Sequence, residues 1–351
     1  MSSAESSLPQ ALNQLVTRQD LSREQMLSVV RRIMAGEVPA TQVAAFLMAL
    51  RVKKESVIEI AAAAEAMREF ATPVQVDLQD VAGLVDLCGT GGDGQHSFNI
   101  STASMFVAAA AGAKVAKHGG RAVSSSTGSA DVLEALGANI HLSAAQVAQS
   151  VREVGVGFMF APNHHSAMRH VAPIRKELGV RTIFNILGPL TNPAGARHQL
   201  MGVFNVELVR TQAEVLRSLG SRHVIVVHAR NGLDEIAIEG ETFMAELTPE
   251  GDIHERLIFA QQFGVPAYSA EDLSRGLGAR TLEEAKARLL SAVSNESGPA
   301  RDIVVMNAGA ALWAADVATS LADGIRQARA ALESGAARAK LQAFIDFSRA
   351  A

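Results

Sequence analysis

Gly89-Thr90-Gly91-Gly92-Asp93-Gly94 is the stretch of this sequence whose residue types most directly imply chemistry. Glycines let the backbone approach a ligand closely and turn its N–H groups inward, which makes an anion cradle. Asn99-Ile100-Ser101-Thr102 follows where a helix is expected to begin, and adds a helix N-terminus and two hydroxyls that suit phosphate oxygens. No Asp or Glu occurs from Gly94 to Ala130, whereas Lys114, Lys117 and Arg121 share that window with nine Ser and Thr hydroxyls. Bases and hydroxyls solvate phosphate, and a carboxylate among them would repel it. A merely solvated serine-rich loop leaves the missing acids unexplained. The window therefore points to a phosphorylated ligand.

Asp234-Glu235 follows a strand candidate and an Asn231-Gly232 turn. Adjacent carboxylates beside a polyphosphate suit Mg²⁺, which takes one or two carboxylates plus substrate oxygens. Other chemistries fit less well. Gly89, Gly91 and Gly94 also satisfy G-x-G-x-x-G, but polar residues intervene before the helix, and the acid that fingerprint needs about 20 positions on is missing. His164, His165 and His170 lack the i, i+4 spacing of helical zinc sites and read as pocket-lining or backbone-paired. The single cysteine, Cys88, excludes an internal disulfide.

The elements that must position these residues change character along the chain. Residues 1–75 read as a helical unit with eight basic and eight acidic side chains. Ser22 and Gln25 form a capping box, Thr41 caps a second helix, and a third, alanine-rich helix runs from about Ser56 to Phe70. Thr72-Pro73 opens a linker. Beyond it, strands at Leu84–Cys88, Ala113–Ala116, Val156–Phe160, Gln199–Phe204 and Val224–His228 alternate with helices such as Thr102–Ala111, Asp131–Leu136 and Ser143–Glu153. That alternation predicts an α/β fold with a mainly parallel central sheet. Ile236–Ile238 and Thr242–Leu247 read as a hairpin.

The bulk numbers bound the function classes. A chain of 351 residues exceeds one ordinary core, so two domains or one large α/β domain are expected. With 48% hydrophobic and 19% charged residues and a net charge of −4, nothing recruits nucleic acid or an anionic membrane. The polar N-terminus lacks a signal-peptide core, and no apolar run approaches the ~20 residues of a membrane span. The expected setting is the cytoplasm.

Gly89–Asp93, Asn99–Thr102, Lys117-His118-Gly119 with Arg121 and Ser124-Ser125, and Gly128-Ser129-Ala130-Asp131 resemble the phosphoribosyl pyrophosphate (PRPP) site of the anthranilate phosphoribosyltransferase family. Ala172–Gly179, Phe184–Pro193, Asn231–Glu235 and Asn307-Ala308-Gly309-Ala310 are similar to further motifs of that family, in the same order from about Leu8 onward. The resemblance implies a nucleoside phosphorylase/phosphoribosyltransferase-like fold: a small helical domain (1–75, joined by about 165–190) and an α/β phosphoribosyl-transfer domain (80–351), usually as a homodimer. It implies Mg²⁺ as cofactor, anthranilate and PRPP as substrates, and no nucleic-acid or membrane partner.

Carried onto this sequence, the donor site comprises Gly89, Gly92, Asp93, Ser97, Asn99, Ile100, Ser101, Thr102, Lys117, His118, Gly119, Gly120, Arg121, Ala122, Val123, Ser124, Ser125 and Ser129. Gly89, Gly120 and Arg175 would face anthranilate, with Arg175 on its carboxylate, and Ser101, Asp234 and Glu235 would reach the metal. No residue is assigned as a general base, because an aromatic amine is already neutral at pH 7. Two positions depart from the family pattern: Gly120 stands where Asn is usual, and Ser126 where Lys is frequent. Two other classes are weighed. A nucleoside phosphorylase would need neither Asp234-Glu235 nor Arg175, and a nucleic-acid-binding relative would need a basic face that the neutral helical unit lacks.

Overall fold

The computed structural model describes residues 7–77, 83–122 and 127–351. Four helices open the chain: α1 (Leu8–Val16), α2 (Arg23–Met34), α3 (Ala40–Lys53) and α4 (Val57–Glu69). Ser22 caps α2 and Ser56 caps α4, each in a reciprocal box with the residue three positions on. Glu59 extends the second box into a buried staple. Its carboxylate accepts from the N–H groups of Ser56 (2.8 Å) and Leu21 (3.0 Å) and from Lys53 Nζ (2.7 Å). Ala62, Ala63, Ala64 and Ala66 are fully buried and let α4 pack closely against its neighbours. Two expectations shift here. Helix α1 was not read from the sequence, and α3 begins at Ala40 after Pro39, placing Thr41 inside its first turn.

The hydrophobic cluster of these helices also contains Ala167, Val171, Ile174, Ile183, Phe184 and Leu187, so the 165–190 segment packs with the N-terminal helices although it is distant in sequence. The segment expected as a linker is anchored as well: Thr72 N–H donates to His164 O at 2.8 Å, and Val74 N–H to Pro193 O at 2.9 Å.

Seven strands form one sheet in the order β3-β2-β1-β4-β5-β6-β7: β1 (Leu84–Gly89), β2 (Lys114–Gly119), β3 (Val156–Phe160), β4 (His198–Gly202), β5 (His223–Ala229), β6 (Glu241–Leu247) and β7 (Ile253–Phe259). The first five are parallel, and β6 and β7 add on antiparallel. β3, β4 and β5 are buried along their whole length, as parallel strands covered by helices on both faces must be. The strand order reverses direction between β1 and β4, and it is outside the carboxyl ends at such a reversal that α/β sheets bind ligands.

The expected hairpin is corrected. β6 turns into β7 through Thr248–Asp252, whereas Ile236–Ile238 is buried but forms no strand. Its backbone is satisfied by a side chain instead. Asn307, buried in the helix Pro299–Ala314, accepts from Ile236 N–H (2.9 Å) and donates to Ile236 O (3.0 Å). Among the described residues, no helix is long and apolar enough to cross a membrane.

Candidate active site

Three neighbouring strands end in glycine, and in each case a side chain would have nowhere to go. Gly89 of β1 and Gly202 of β4 face each other across the ladder. A Cβ on Gly89 would collide with the Asp234 carboxylate, and one on Gly202 with the Asp234 carbonyl. A Cβ on Gly119, ending β2, would meet Ser129 Oγ. The carboxyl edge of the sheet is thus bare so that the Asp234-Glu235 turn can lie across it. Asn307 pins the residue that follows, which fixes both carboxylates from behind.

The glycine loop leaves β1 over this edge. Gly91, Gly92 and Gly94 have φ of +65°, +72° and +72°, a region that disfavours other residues. Gly91 N–H donates to Asp234 Oδ2 at 2.7 Å. Asp93 lies close enough that its charge raises the pKa of Asp234, second only to burial. Glu235 is raised by burial first and then by Asp234. Helix α5 (Ile100–Ala110) starts beside them with Asn99 at its N-cap, two residues earlier than the sequence reading placed it. Ser101 N–H donates to Glu235 Oε1 at 3.1 Å, and Lys117 Nζ donates to Ser101 Oγ at 3.1 Å and to the Leu87 carbonyl. Lys117 is buried, and it is the cation that partly offsets the burial of Glu235.

The remaining donor positions divide. Asn99 and Thr127 are hydrogen-bonded to each other across the loop, and Ser97 bridges to Gly278. Ile100 is buried, and Thr102 Oγ1 is buried without a partner in its own helix. Gly120 O accepts from Ala130 N–H at 3.1 Å, and Ser129 Oγ lies 3.4 Å from it. Arg121 and Ala122 do not face the carboxylate pair as free donors. Arg121 is held by Asp131 (2.9 Å) and Glu134 (2.5 Å), and Ala122 N–H donates to Asp131 Oδ2 at 3.0 Å. Lys114, at the opposite end of β2, donates to Arg152 O, so of the three bases in the acid-free window Lys117 alone meets the carboxylates. Val123, Ser124, Ser125 and Ser126 lie outside the described residues.

On the acceptor side, Arg175 belongs to the helix Ala172–Leu178. Burial lowers its pKa, its guanidinium lies 5.8 Å from the Phe184 ring centroid, and among the described residues it has no ion pair. The His118 and His165 rings pack at 4.9 Å between centroids, tilted by 55°. Burial, then the neighbouring histidines, holds His118 well below its ordinary pKa, and burial with His164 brings His165 to about 4, so both rings are neutral near pH 7. His164 Nδ1 lies 3.0 Å from Thr72 O, a backbone pairing.

Sequence reasoning missed three contributors. Gly202 and Thr90 shape the reversal point: Thr90 N–H donates to Gly202 O and its Oγ1 accepts from Phe204 N–H. Arg181 reaches the loop from the 165–190 segment. The double glycine spacing at 89 and 202 carried no local signal, because its cause is Asp234.

The buried carboxylates are oxygen donors, the kind of ligand Mg²⁺ takes, and among the described residues no group of three or more His, Cys, Asp or Glu could hold a metal ion by itself.

Bundle, sheet and anion loop together define a glycosyl transferase. A family model described as "Glycosyl transferase family, helical bundle domain" matches residues 9–71, and the a/b domain of the same family matches 81–338. Anthranilate phosphoribosyltransferase of Methylibium petroleiphilum is 58% identical over 97% of this chain and 96% of its own length. The crystal structure of anthranilate phosphoribosyltransferase from Thermus thermophilus matches with a TM-score of 0.89 at 42% identity, over 97% of this chain and 99% of that one. The Saccharomyces cerevisiae enzyme in complex with PRPP and Mg matches at 0.87 with 28% identity over 99% of both chains. Its complex with 4-fluoroanthranilate matches at 0.86 with 27% identity over the same 99% of both. The chain belongs to the anthranilate phosphoribosyltransferase family. It transfers the phosphoribosyl group of PRPP to the amine of anthranilate, a step of tryptophan biosynthesis.

Proposed function

We propose that this transfer takes place over the carboxyl edge of β1 and β4, with donor and acceptor held from opposite walls of the cleft. The observation that carries the assignment is the meeting of Asp93, Asp234 and Glu235 with the glycine loop at the reversal point of the sheet. The amides of Gly89, Gly92 and Asp93, the N-terminus of α5 with Ser101 and Thr102, and Lys117 bind the donor phosphates. Ser97, Asn99, Gly119, Gly120 and Ser129 shape the same wall, and His118 offers a neutral ring nitrogen. Asp234, Glu235 and the Ser101 hydroxyl hold Mg²⁺, which when bound neutralises charge on the departing pyrophosphate.

Arg175, half-buried and without a counter-ion among the described residues, takes the anthranilate carboxylate and turns the amine toward ribose C1. This is catalysis by positioning. The amine is its own nucleophile, so no covalent enzyme intermediate forms: the N–C1 bond forms as the C1–O bond breaks, and the ammonium proton leaves to water.

The helical unit (1–75 with about 165–190) supplies the acceptor wall and, as the homodimer surface, the exposed Val16, Val52 and Ile58 of α1, α3 and the start of α4. Equilibrium sedimentation distinguishes dimer from monomer. A cytoplasmic setting agrees with the one buried, unpaired thiol, Cys88. The decisive assay is pyrophosphate release with PRPP, anthranilate and Mg²⁺. Release is expected to stop with EDTA and when benzoate, which lacks the amine, replaces anthranilate. Release independent of the amine would overturn the reading.

A further inference from the structure

Arg181 sits six residues beyond Arg175, in the 165–190 segment that packs with the N-terminal helices, yet its guanidinium crosses to the other wall. It donates to the Gly92 carbonyl and lies over the Phe204 ring, its carbon 4.2 Å from the centroid. Among the described residues it makes no ion pair, so these two contacts fix it. Phe204 is itself held to the loop's base, through its N–H bond to Thr90 Oγ1 at 3.0 Å.

The glycine loop is therefore gripped from both sides at consecutive residues. Asp234 takes the Gly91 N–H from the sheet side, and Arg181 takes the Gly92 carbonyl from the acceptor side. Both glycines have positive φ, a conformation open to glycine and rare for other residues, so the two grips select one of the conformations the loop can reach. A trans peptide points its N–H opposite to its carbonyl, so a Gly92 carbonyl engaged by Arg181 fixes the direction of the Asp93 N–H.

We propose that Arg181 is a positioning residue for the donor loop: it presets the loop's amides for PRPP and ties them to the segment that carries the acceptor-binding Arg175. The proposal rests on the reading of the glycine loop as the donor site. It accounts for why donor and acceptor walls, built from different parts of the chain, meet at one fixed spacing.

The test measures binding of Mg²⁺·PRPP by calorimetry, without turnover, in wild type, Arg181→Ala, Arg181→Lys, Phe204→Leu and the double variant Arg181→Ala/Phe204→Leu. Loss of a charged hydrogen bond predicts a donor Kd weakened about tenfold or more in Arg181→Ala. Arg181→Lys keeps the charge and a donor but not the planar face, so partial rescue is expected. Because Phe204 acts through Arg181, the two losses should be markedly less than additive.

In steady state KM for PRPP rises while KM for anthranilate changes little, and the melting temperature stays at the wild-type value. An unchanged donor Kd in Arg181→Ala overturns the proposal, and so does a parallel loss of both substrates with a lowered melting temperature. An error in the acceptor assignment shows differently, as absent turnover in wild type with donor binding intact.

Discussion

The two ends of the central sheet each bury a cluster of titratable groups, and they treat charge in opposite ways. At the amino end of β4 and β5, His223 stands between carboxylates: Nδ1 is 2.7 Å from Asp316 Oδ1, and Nε2 is 3.4 Å from Glu246 Oε1. Arg222 and Arg256 complete that network, and Trp313 packs edge-on against His223. Burial opposes the imidazolium there, but the two carboxylates outweigh it and raise its pKa. At the carboxyl end, burial and then Asp93 raise the pKa of Asp234, burial and then Asp234 raise that of Glu235, and Lys117 is the cation that answers Glu235. One end pairs its charges, whereas the other crowds carboxylates whose pKa values rise, a pattern that points to a candidate site.

The strongest way to break the comparison is to remove the conflict. Asp234→Ala/Glu235→Ala should abolish measurable turnover, since one electrostatic stabiliser is typically worth ~10²–10³ in rate. Its melting temperature should equal or exceed that of the wild type, because mutual repulsion goes with the carboxylates. Retained activity would sink the metal assignment. Arg175→Ala comes next. A charged hydrogen bond is worth roughly 1.5–3 kcal/mol, so kcat/KM for anthranilate should fall about 10- to 150-fold while donor binding holds. Equal damage to both substrates would reduce Arg175 to a folding role.

The satisfied end predicts the reverse pattern. His223→Ala should leave kcat near the wild-type value and cost stability, on the order of 1.5–3 kcal/mol for a lost charge-assisted hydrogen bond. Its pH dependence has a definite sign. The folded pKa is raised above the unfolded one near 6.5, so the contribution is complete below about pH 6.5 and is lost as pH rises through the folded value. The gap in melting temperature between wild type and variant should therefore narrow from pH 6 to alkaline pH. A gap that widens would mean the imidazole acts by packing on Trp313 and not by charge.

What the sequence made legible was local: glycines before a helix start, a window emptied of acids, adjacent carboxylates after a turn. What it hid depends on long-range approach. Asp234 meets Gly91 across 143 positions, and nothing near either residue announces it. Ile236–Ile238 alternates apolar residues and reads as a strand, but the Asn307 amide substitutes for the neighbouring strand's backbone, so burial persists without a ladder. Arg121 fits a phosphate site by type and window, yet acids just past that window, Asp131 and Glu134, fold back onto it. A count along the chain cannot see a helix turn that returns.

The smallest effect concerns Gly120, where the family's usual asparagine is missing. Of the two adjacent glycines, Gly119 is obligatory, since a side chain there would strike Ser129 Oγ. Gly120 is different in kind. Its φ lies outside the left-handed region, and among the described residues a Cβ would find nothing nearer than Ala161 Cβ at 4.0 Å. The backbone conformation at this position therefore does not require glycine.

A residue with a side chain narrows the unfolded ensemble as well, so Gly120→Asn should preserve or slightly raise the melting temperature. The new amide projects where anthranilate is assigned. One neutral hydrogen bond nets about 1 kcal/mol, so kcat/KM for anthranilate should rise several-fold with the PRPP KM nearly fixed. Steady-state kinetics with each substrate varied in turn decides it. A gain confined to anthranilate would place the acceptor beside Gly120 and sharpen the division between donor and acceptor walls. A gain for PRPP instead would assign this loop to the donor alone and leave Arg175 as the acceptor's anchor.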